Sequence, residues 1–503
     1  MQPFVEKMIL PINRYSDMHA SKYFATLFAI LGILLLILNS CSTVRSGFNG
    51  NDYVVNKKID LRGETLILPQ GGVLRFGENG CLTNGTIKGN KTKIEGAKKG
   101  VFNGIHITGE WVIKKICSDY FKDSYKDDVL KELFALSSAN VTNEIIIRPG
   151  EYWVTATADN KFALMLPGNT TLKNEGVIRL RGNNLISYAV LATSGHNVKI
   201  EGGTYHGERN LHQGTTGEWG HGILITEGAS SVTVKNVRVY DCWGDGVAID
   251  GNKVNTDVLV EHFEISNCRR QGISVIFAKD CIIRNGNITN IQGTEPHLGI
   301  DIEPNSNGYC ENVTIDNVII ESEKGIGVFT ALKEFQTRQV TIRNCKVRTT
   351  GYAPFYASRC DGLILKGNEF TTTVEGQNHV IVINTAVKNC IIENNTIKHL
   401  SKDKQHYCIY SSGEKVRIIG NNIYSEAGVA FYTSNAVVEN NHVDVPQLMI
   451  RVNNANGNVY RKNTILGGIQ SIAPDNQFIE NEVAGEVSVI GLRNIYKDNK
   501  EKK

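Results

Sequence analysis

The chain has 503 residues, 41% hydrophobic and 21% charged, which excludes disorder as its main state and exceeds one ordinary globular core while suiting a repeat architecture. Its 54 Lys and Arg against 51 Asp and Glu leave a formal charge of +3, which argues against a dedicated nucleic-acid binder while permitting a local basic patch. Forty-nine glycines beside ten prolines point to many tight turns, and eleven cysteines are too few for a small disulfide scaffold.

The first segment reads as an address. Residues 24–38 (FATLFAILGILLLIL) form an apolar run preceded by Lys22, and Leu38-Asn39-Ser40-Cys41 closes it. Fifteen residues are short for a membrane span; a retained signal anchor is the alternative. The order of basic, apolar and small residues before a cysteine resembles a bacterial lipoprotein signal with its lipobox. That resemblance implies cleavage before Cys41, lipidation of its sulfur and export of the body, held at the outer membrane or cell surface because Ser42, not Asp, follows. Met18 is an alternative start, and residues 42–51 read as a tether.

Residues 52–115 read as N-terminal β coils, with the phrases 59–69 (IDLRGETLILP), 82–87 (LTNGTI) and 90–94 (NKTKI). Residues 116–152 form a helix-containing cap segment. Within it, 124–136 (SYKDDVLKELFAL) predicts a helix with Ser124 as cap, Asp127 and Asp128 in the first turn, and Val129, Leu130, Leu133, Phe134 and Leu136 mostly on one face. Residues 145–152 (IIIRPGEY) follow it.

From 153 to 490 the chain repeats one phrase, apolar-x-Asn-x-x-apolar. Its Asn site falls at Asn236, Asn285, Asn317, Asn344, Asn394, Asn421 and Asn440, with His262 and Gly367 as substitutes, in steps of 19 to 32 residues. Short alternating strands broken by Asn or Gly argue for a parallel β-helix, in which one coil buries its apolar face only against the next. Asn tolerates the left-handed backbone of a bend and, stacked on itself, bonds the next coil as a ladder. The expected fold class is all-β, a single-stranded right-handed parallel β-helix (a solenoid) with a short N-terminal α-helical cap. The repeats and the helix followed by IIIRPGEY resemble the superfamily of pectate lyases, glycosidases and phage tailspikes. The resemblance implies a fold and leaves the reaction open, since the architecture hosts lyases, hydrolases, epimerases and inert adhesins.

A second ladder carries the chemistry. Residues 221–226 (HGILIT), 245–250 (DGVAID), 271–276 (QGISVI), 298–303 (LGIDIE) and 324–329 (KGIGVF) recur every 24 to 27 residues. Their third and fifth positions are always Ile or Val and point inward, so the first, fourth and sixth point outward in columns. Asp245, Asp250, Asp301 and Glu303 then share one external sheet as catalytic candidates. Asp250 and Glu303 stand two strands apart, roughly 9–10 Å, near the ~6.5–9.5 Å of an inverting glycosidase. The same acids suit Ca²⁺ as the alternative, with Arg269, Arg270 or Lys279 then the base candidates.

The flanking residues His206, Arg209, His212, Glu218, Trp219, His221, Trp243, Arg269, Arg270 and Gln271 are the substrate-binding candidates. Trp faces suit sugar rings, and Arg forks suit carboxylates or sulfates, so the expected partner is a polysaccharide, acidic or mixed. The histidine spacing matches no zinc motif. The phrases GERNLH, EWGHGI, CWGDG, RRQGIS and GIDIEPN resemble those of exported bacterial β-helix proteins, while the polygalacturonase pattern of NTD, adjacent DD, GHG and RIK is absent. Solvated acids on a non-catalytic glycan-binding or adhesion module are the competing account. Tyr356, Arg359, His379 and Tyr410 are expected to extend the groove. Cys242 and Cys268, 26 residues apart, stack as inward thiols or, alternatively, as a disulfide. Residues 491–503 read as a fraying charged tail, and the whole as a monomer.

Overall fold

The computed structural model describes residues 47–122, 128–330, 336–373, 378–401, 405–426, 431–445, 447–450 and 455–502. Cys41, the apolar run before it, Ser124 and Asp127 lie outside them. No helix among the described residues is long and apolar enough to cross a membrane.

The chain divides into two compact units between Gly109 and Glu110. In the first, strands Asp52–Val55, Val73–Phe76 and Cys81–Glu95 run parallel, with Tyr53 beside Leu74 and Leu74 beside Ile94. Ile59 aligns with Leu82 and Leu66 with Ile87. Alternate side chains such as Tyr53, Val55, Leu74 and Phe76 are buried, the period of a half-buried strand.

The second unit contains a helix at Val129–Ala135, shorter than expected. Asp128, read as first-turn, instead precedes the helix with φ 61°. Its carboxylate accepts from the Thr155 amide at 2.9 Å and the Thr155 hydroxyl at 3.1 Å, tying the helix start to the first coils. Leu130, Leu133, Phe134 and Leu136 are buried. The helix rests on strands Glu151–Val154 and Phe162–Leu166 and covers apolar surface near the solenoid's first coils.

From Asn143 onward every sheet pairing is parallel and joins a strand to one a coil away, as in Val232 beside Val258, Val258 beside Cys281 and Cys281 beside Val313. This is the expected parallel β-helix. The repeated Asn site marks a corner: Asn236, His262, Asn285, Asn317, Asn344, Asn394 and Asn440 all hold φ between 53° and 57°. Gly367 and, in place of Asn421, Gly420 take the same conformation.

Bend residues bond one another outside the coil, as where Asn317 Nδ2 donates to Asn285 Oδ1 at 2.8 Å, and a second, buried ladder runs one position later. Asn368, Asn395, Asn421, Asn441, Asn463 and Asn481 stand one position past the bend and are buried. The amide of Asn395 donates to Asn421 Oδ1 at 2.9 Å, and that of Asn421 to Asn441 Oδ1 at 2.8 Å. The bend residue must turn its side chain outward, which leaves the next position facing in.

Cys242 and Cys268 are stacked buried thiols with no disulfide between them. In the C-terminal segment Ile495–Lys497 pairs with Gln477–Ile479, and Lys500–Glu501 with Glu482–Val483.

Candidate functional site

The wall carrying the second ladder is built from strands Phe162–Leu166, Ser187–Thr193, Trp219–Ile225, Val247–Ile249, Ile273–Val275, Leu298–Ile302 and Lys324–Val328. Ile223, Val247, Ile273, Ile300 and Ile326 pair rung by rung and are fully buried. The neighbouring column Leu224, Ala248, Ser274, Asp301 and Gly327 is in the same register. The four acids therefore share one wall.

That wall is only partly open. Asp245 is 1% exposed, Asp301 and Gln271 0%, and His221 5%, while Asp250 and Glu303 are half-buried. Alternation places a side chain outside the coil but does not show what lies over it. Here Arg270 lies over Asp245, with Nη1 at 3.3 Å from Oδ2 and 3.4 Å from Oδ1. The Ser274 hydroxyl donates to Asp245 Oδ2 at 2.9 Å, and His221 Nδ1 faces the same oxygen at 3.4 Å. Glu218 approaches Arg270 Nε at 3.6 Å.

Gln271 joins a carboxylate to a backbone amide rather than touching solvent. Its Nε2 donates to Asp301 Oδ2 at 2.7 Å, and its Oε1 accepts from the Leu298 amide at 2.8 Å. Burial, and then the adjacent Glu303 carboxyl, raise the proton affinity of Asp301 well above the ordinary carboxylate range. Asp301 Oδ1 is buried without a conventional hydrogen-bond partner. Both facts describe a supporting acid that reaches no ligand directly.

The open part is a trough of about 510 Å³. Of the sequence candidates, Trp219, His221, Asp250 and Arg270 line it. Burial lowers the proton affinity of His221, against the opposing pull of Asp245 and Asp250, so the imidazole is neutral at neutral pH. Burial raises the proton affinity of Asp250, offset in part by the Gly251 amide donating at 2.7 Å. Trp219 is 44% exposed and offers a ring to the cavity.

The other candidates form a second, structural cluster. His212, whose side chain is 0% exposed, meets Glu208 Oε1 at 3.0 Å; Tyr188 donates to the same carboxylate. Trp243 lies between His212, stacked at 4.0 Å, and the Arg269 guanidinium at 3.8 Å, so both its faces are taken and it is no sugar platform. Arg269 also donates to Gly217 O at 2.9 Å. Arg209 donates to Asn267 and to Gln292 O. His206 pairs with Asp241 at 2.9 Å from strand Thr204–His206, outside the trough wall. These contacts fix the 207–219 insertion onto the solenoid.

Lys279 sits in an exposed pair with Glu311 at 3.6 Å, on another strand. Tyr356 stacks on Phe329 at 5.3 Å, and His379 on Tyr410 at 4.8 Å, further along the wall. Arg359 follows a register shift in strand Phe355–Lys366. Calcium does not fit the four acids. Asp245 is engaged by Arg270 and Ser274, burial raises the proton affinity of Asp301, and among the described residues no group of three or more His, Cys, Asp and Glu is placed to hold a metal.

Leu224, Thr226 and Gly251 of the ladder, with Lys161, Phe162, Ser187, Glu227 and Asn305, complete the lining; none of them is a sequence candidate. Phe162 pairs with Ala189 and Ala189 with His221, so in the structure the first-position column continues two coils before 221.

A family model described as "Right handed beta helix region" matches residues 171–370 and 334–485. The uncharacterized protein YclG of Bacillus subtilis is 30% identical over 33% of this chain and 31% of its own length. The SPbeta prophage-derived uncharacterized protein YorA of the same organism is 23% identical over 56% of this chain and 47% of its own. The chain thus spans less than half the length of either relative. Among solved structures, the A-module of Azotobacter vinelandii mannuronan C-5 epimerase AlgE4 is 14% identical, with TM-score 0.47 over 70% of this chain and 90% of that one.

Proposed function

This chain belongs to the right-handed β-helix family, and from that premise we propose that it is an exported polysaccharide lyase acting on a uronate-containing glycan in the trough of His221, Asp250 and Arg270. The observation that carries the reading is a buried imidazole whose Nδ1 lies 3.4 Å from Asp245, beside a guanidinium, in one cavity of about 510 Å³.

Asp245 facing Nδ1 favours the tautomer protonated there, leaving His221 Nε2 as the base. Arg270 and Lys161 supply positive charge for the uronate carboxylate. His221 takes the proton from the carbon next to that carboxylate, and the freed pair moves onto the carboxylate beside Arg270. The pair then forms the C4–C5 double bond as the C4–O4 bond breaks, and O4 takes a proton from Asp250, whose raised proton affinity suits an acid. Trp219 supports a sugar ring through its exposed face.

A second reading rests on Glu227, which lines the same trough as Asp250 and would make the two the acid and base of a glycoside hydrolase. Incubation of the protein with acidic and neutral glycans decides. Ultraviolet absorbance from an unsaturated uronide is the expected result; new reducing ends without it select the hydrolase. Binding with no product refutes both and leaves a glycan-binding module. The lipobox resemblance at Cys41 supports anchoring of this body at the outer membrane or cell surface.

A further inference from the structure

We propose that the same wall carries a second sugar site that selects a neutral, methyl-bearing unit, about four strands beyond His221. The cavity, about 190 Å³, is lined by Pro296, Leu298, Lys324, Phe329, Tyr352 and Tyr356, with Ala353 and Asn378 beside them. Leu298 and Lys324 continue the column of His221, Asp245 and Gln271, so four strand spacings of ~4.8 Å put the site about 19 Å along the wall.

Its chemistry contrasts with the trough. Three aromatic rings, Leu298 and Pro296 supply apolar surface, and among the described lining residues the one cation, Lys324, is already neutralised. Lys324 is ion-paired with Glu295, and its ammonium lies 4.1 Å from the centre of the Tyr352 ring. The surface is also built to hold its shape. Phe329 stacks on Tyr356 at 5.3 Å, and the Tyr356 hydroxyl accepts from Asn384 at 2.7 Å. Gly327 lies beneath: a Cβ there would meet Phe329 at 2.2 Å and Leu298 at 2.5 Å, so only glycine lets both side chains close over that rung. A pocket with apolar walls and, among the described residues, no free charge favours a methyl and the C–H face of a ring over a carboxylate. The methyl comes from a 6-deoxyhexose or from an acetyl group.

Taken with the lyase reading, on which this step rests, the substrate is a heteropolymer with a uronate at His221 and a methyl-bearing sugar about 19 Å away. Saturation-transfer NMR on the full chain, with rhamnose, N-acetylglucosamine and glucuronate as separate probes, tests the site without turnover. Methyl signals are expected from the first two, the stronger identifying the source. They should vanish in Ala353→Leu, which fills the cavity, and in Phe329→Ala, and persist in His221→Gln. Absence of methyl signals in the wild type, their persistence in both pocket variants, or an equal pocket-dependent glucuronate signal overturns the proposal. Pocket-dependent methyl signals without any uronide product overturn only the lyase reading.

Discussion

At the scale of residues, the trough divides labour by environment. His221 is kept neutral by burial and Asp250 holds its proton more tightly than a free carboxyl. Turnover requires His221 deprotonated and Asp250 protonated, so the rate falls at acid pH as His221 titrates and at higher pH as Asp250 ionises. A bell-shaped profile is expected whose acid limb falls below about 6.5, the ordinary histidine value; an acid limb above that value would contradict these roles. His221→Gln should lower kcat by ~10²–10⁴. Arg270→Lys should not restore wild-type kcat, because one ammonium nitrogen cannot replace a guanidinium that turns Nη1 to Asp245 and Nε to Glu218. Asp301 behaves differently. The folded state binds its proton more tightly than the unfolded chain, so its contribution to stability is present in acid and lost as pH rises from about 3.9 through the folded value. Asp301→Asn keeps an acceptor for Gln271 and removes the charge. It should melt higher than wild type at pH 8, converge with it toward pH 4 and retain turnover. Column reasoning placed Asp301 beside the site, but nothing in its neighbours' spacing signals a cover over it. Trp243 was misread for a related reason: the histidine on one face and the arginine on the other come from different coils.

At the scale of elements, two devices set the register. The buried ladder leaves each Asn bonded above and below: Asn421 Oδ1 accepts from Asn395, and its Nδ2 donates to Ile392 O at 2.9 Å and to Asn441 Oδ1 at 2.9 Å. Asn421→Leu strands a buried amide and a buried carbonyl and should cost about 2–5 kcal/mol in chemical denaturation. The exposed Asn317, whose Nδ2 bonds Asn285 at 2.8 Å, should cost under about 1 kcal/mol as Ser. Equal costs would refute the distinction. The second device is size complementarity, since a Cβ at Gly286 would stand 2.3 Å from the Phe263 ring one coil before it. Gly286→Ala should destabilise strongly and be partly rescued by Phe263→Leu; additive effects in a double-mutant cycle would show no coupling. The apolar alternation and the Asn sites made these strands legible. The second, buried ladder one position past the bend was not, because both positions are often Asn, as at Asn394 and Asn395.

At the scale of the whole molecule, a repeat of 24 to 27 residues fixes which distant residues become neighbours, and so the architecture and the shared wall could be read from spacing alone. The trough's far side could not, because the ladder phrase weakens before residue 206 and Lys161 and Phe162 carry no acid or glycine to mark them. The N-terminal reading has its own consequence: metabolic labelling with a fatty acid should mark the protein, and Cys41→Ala should abolish the label and release the body from membranes. A membrane-bound Cys41→Ala protein would favour a retained anchor. The central claim is abstraction of a proton next to a carboxylate by His221. Its most direct test is a uronate polysaccharide carrying tritium at C5, with release of the label into water measured for the wild type and for His221→Gln. The account predicts release that accompanies chain cleavage and disappears in the variant; cleavage with the label retained on carbon would contradict it.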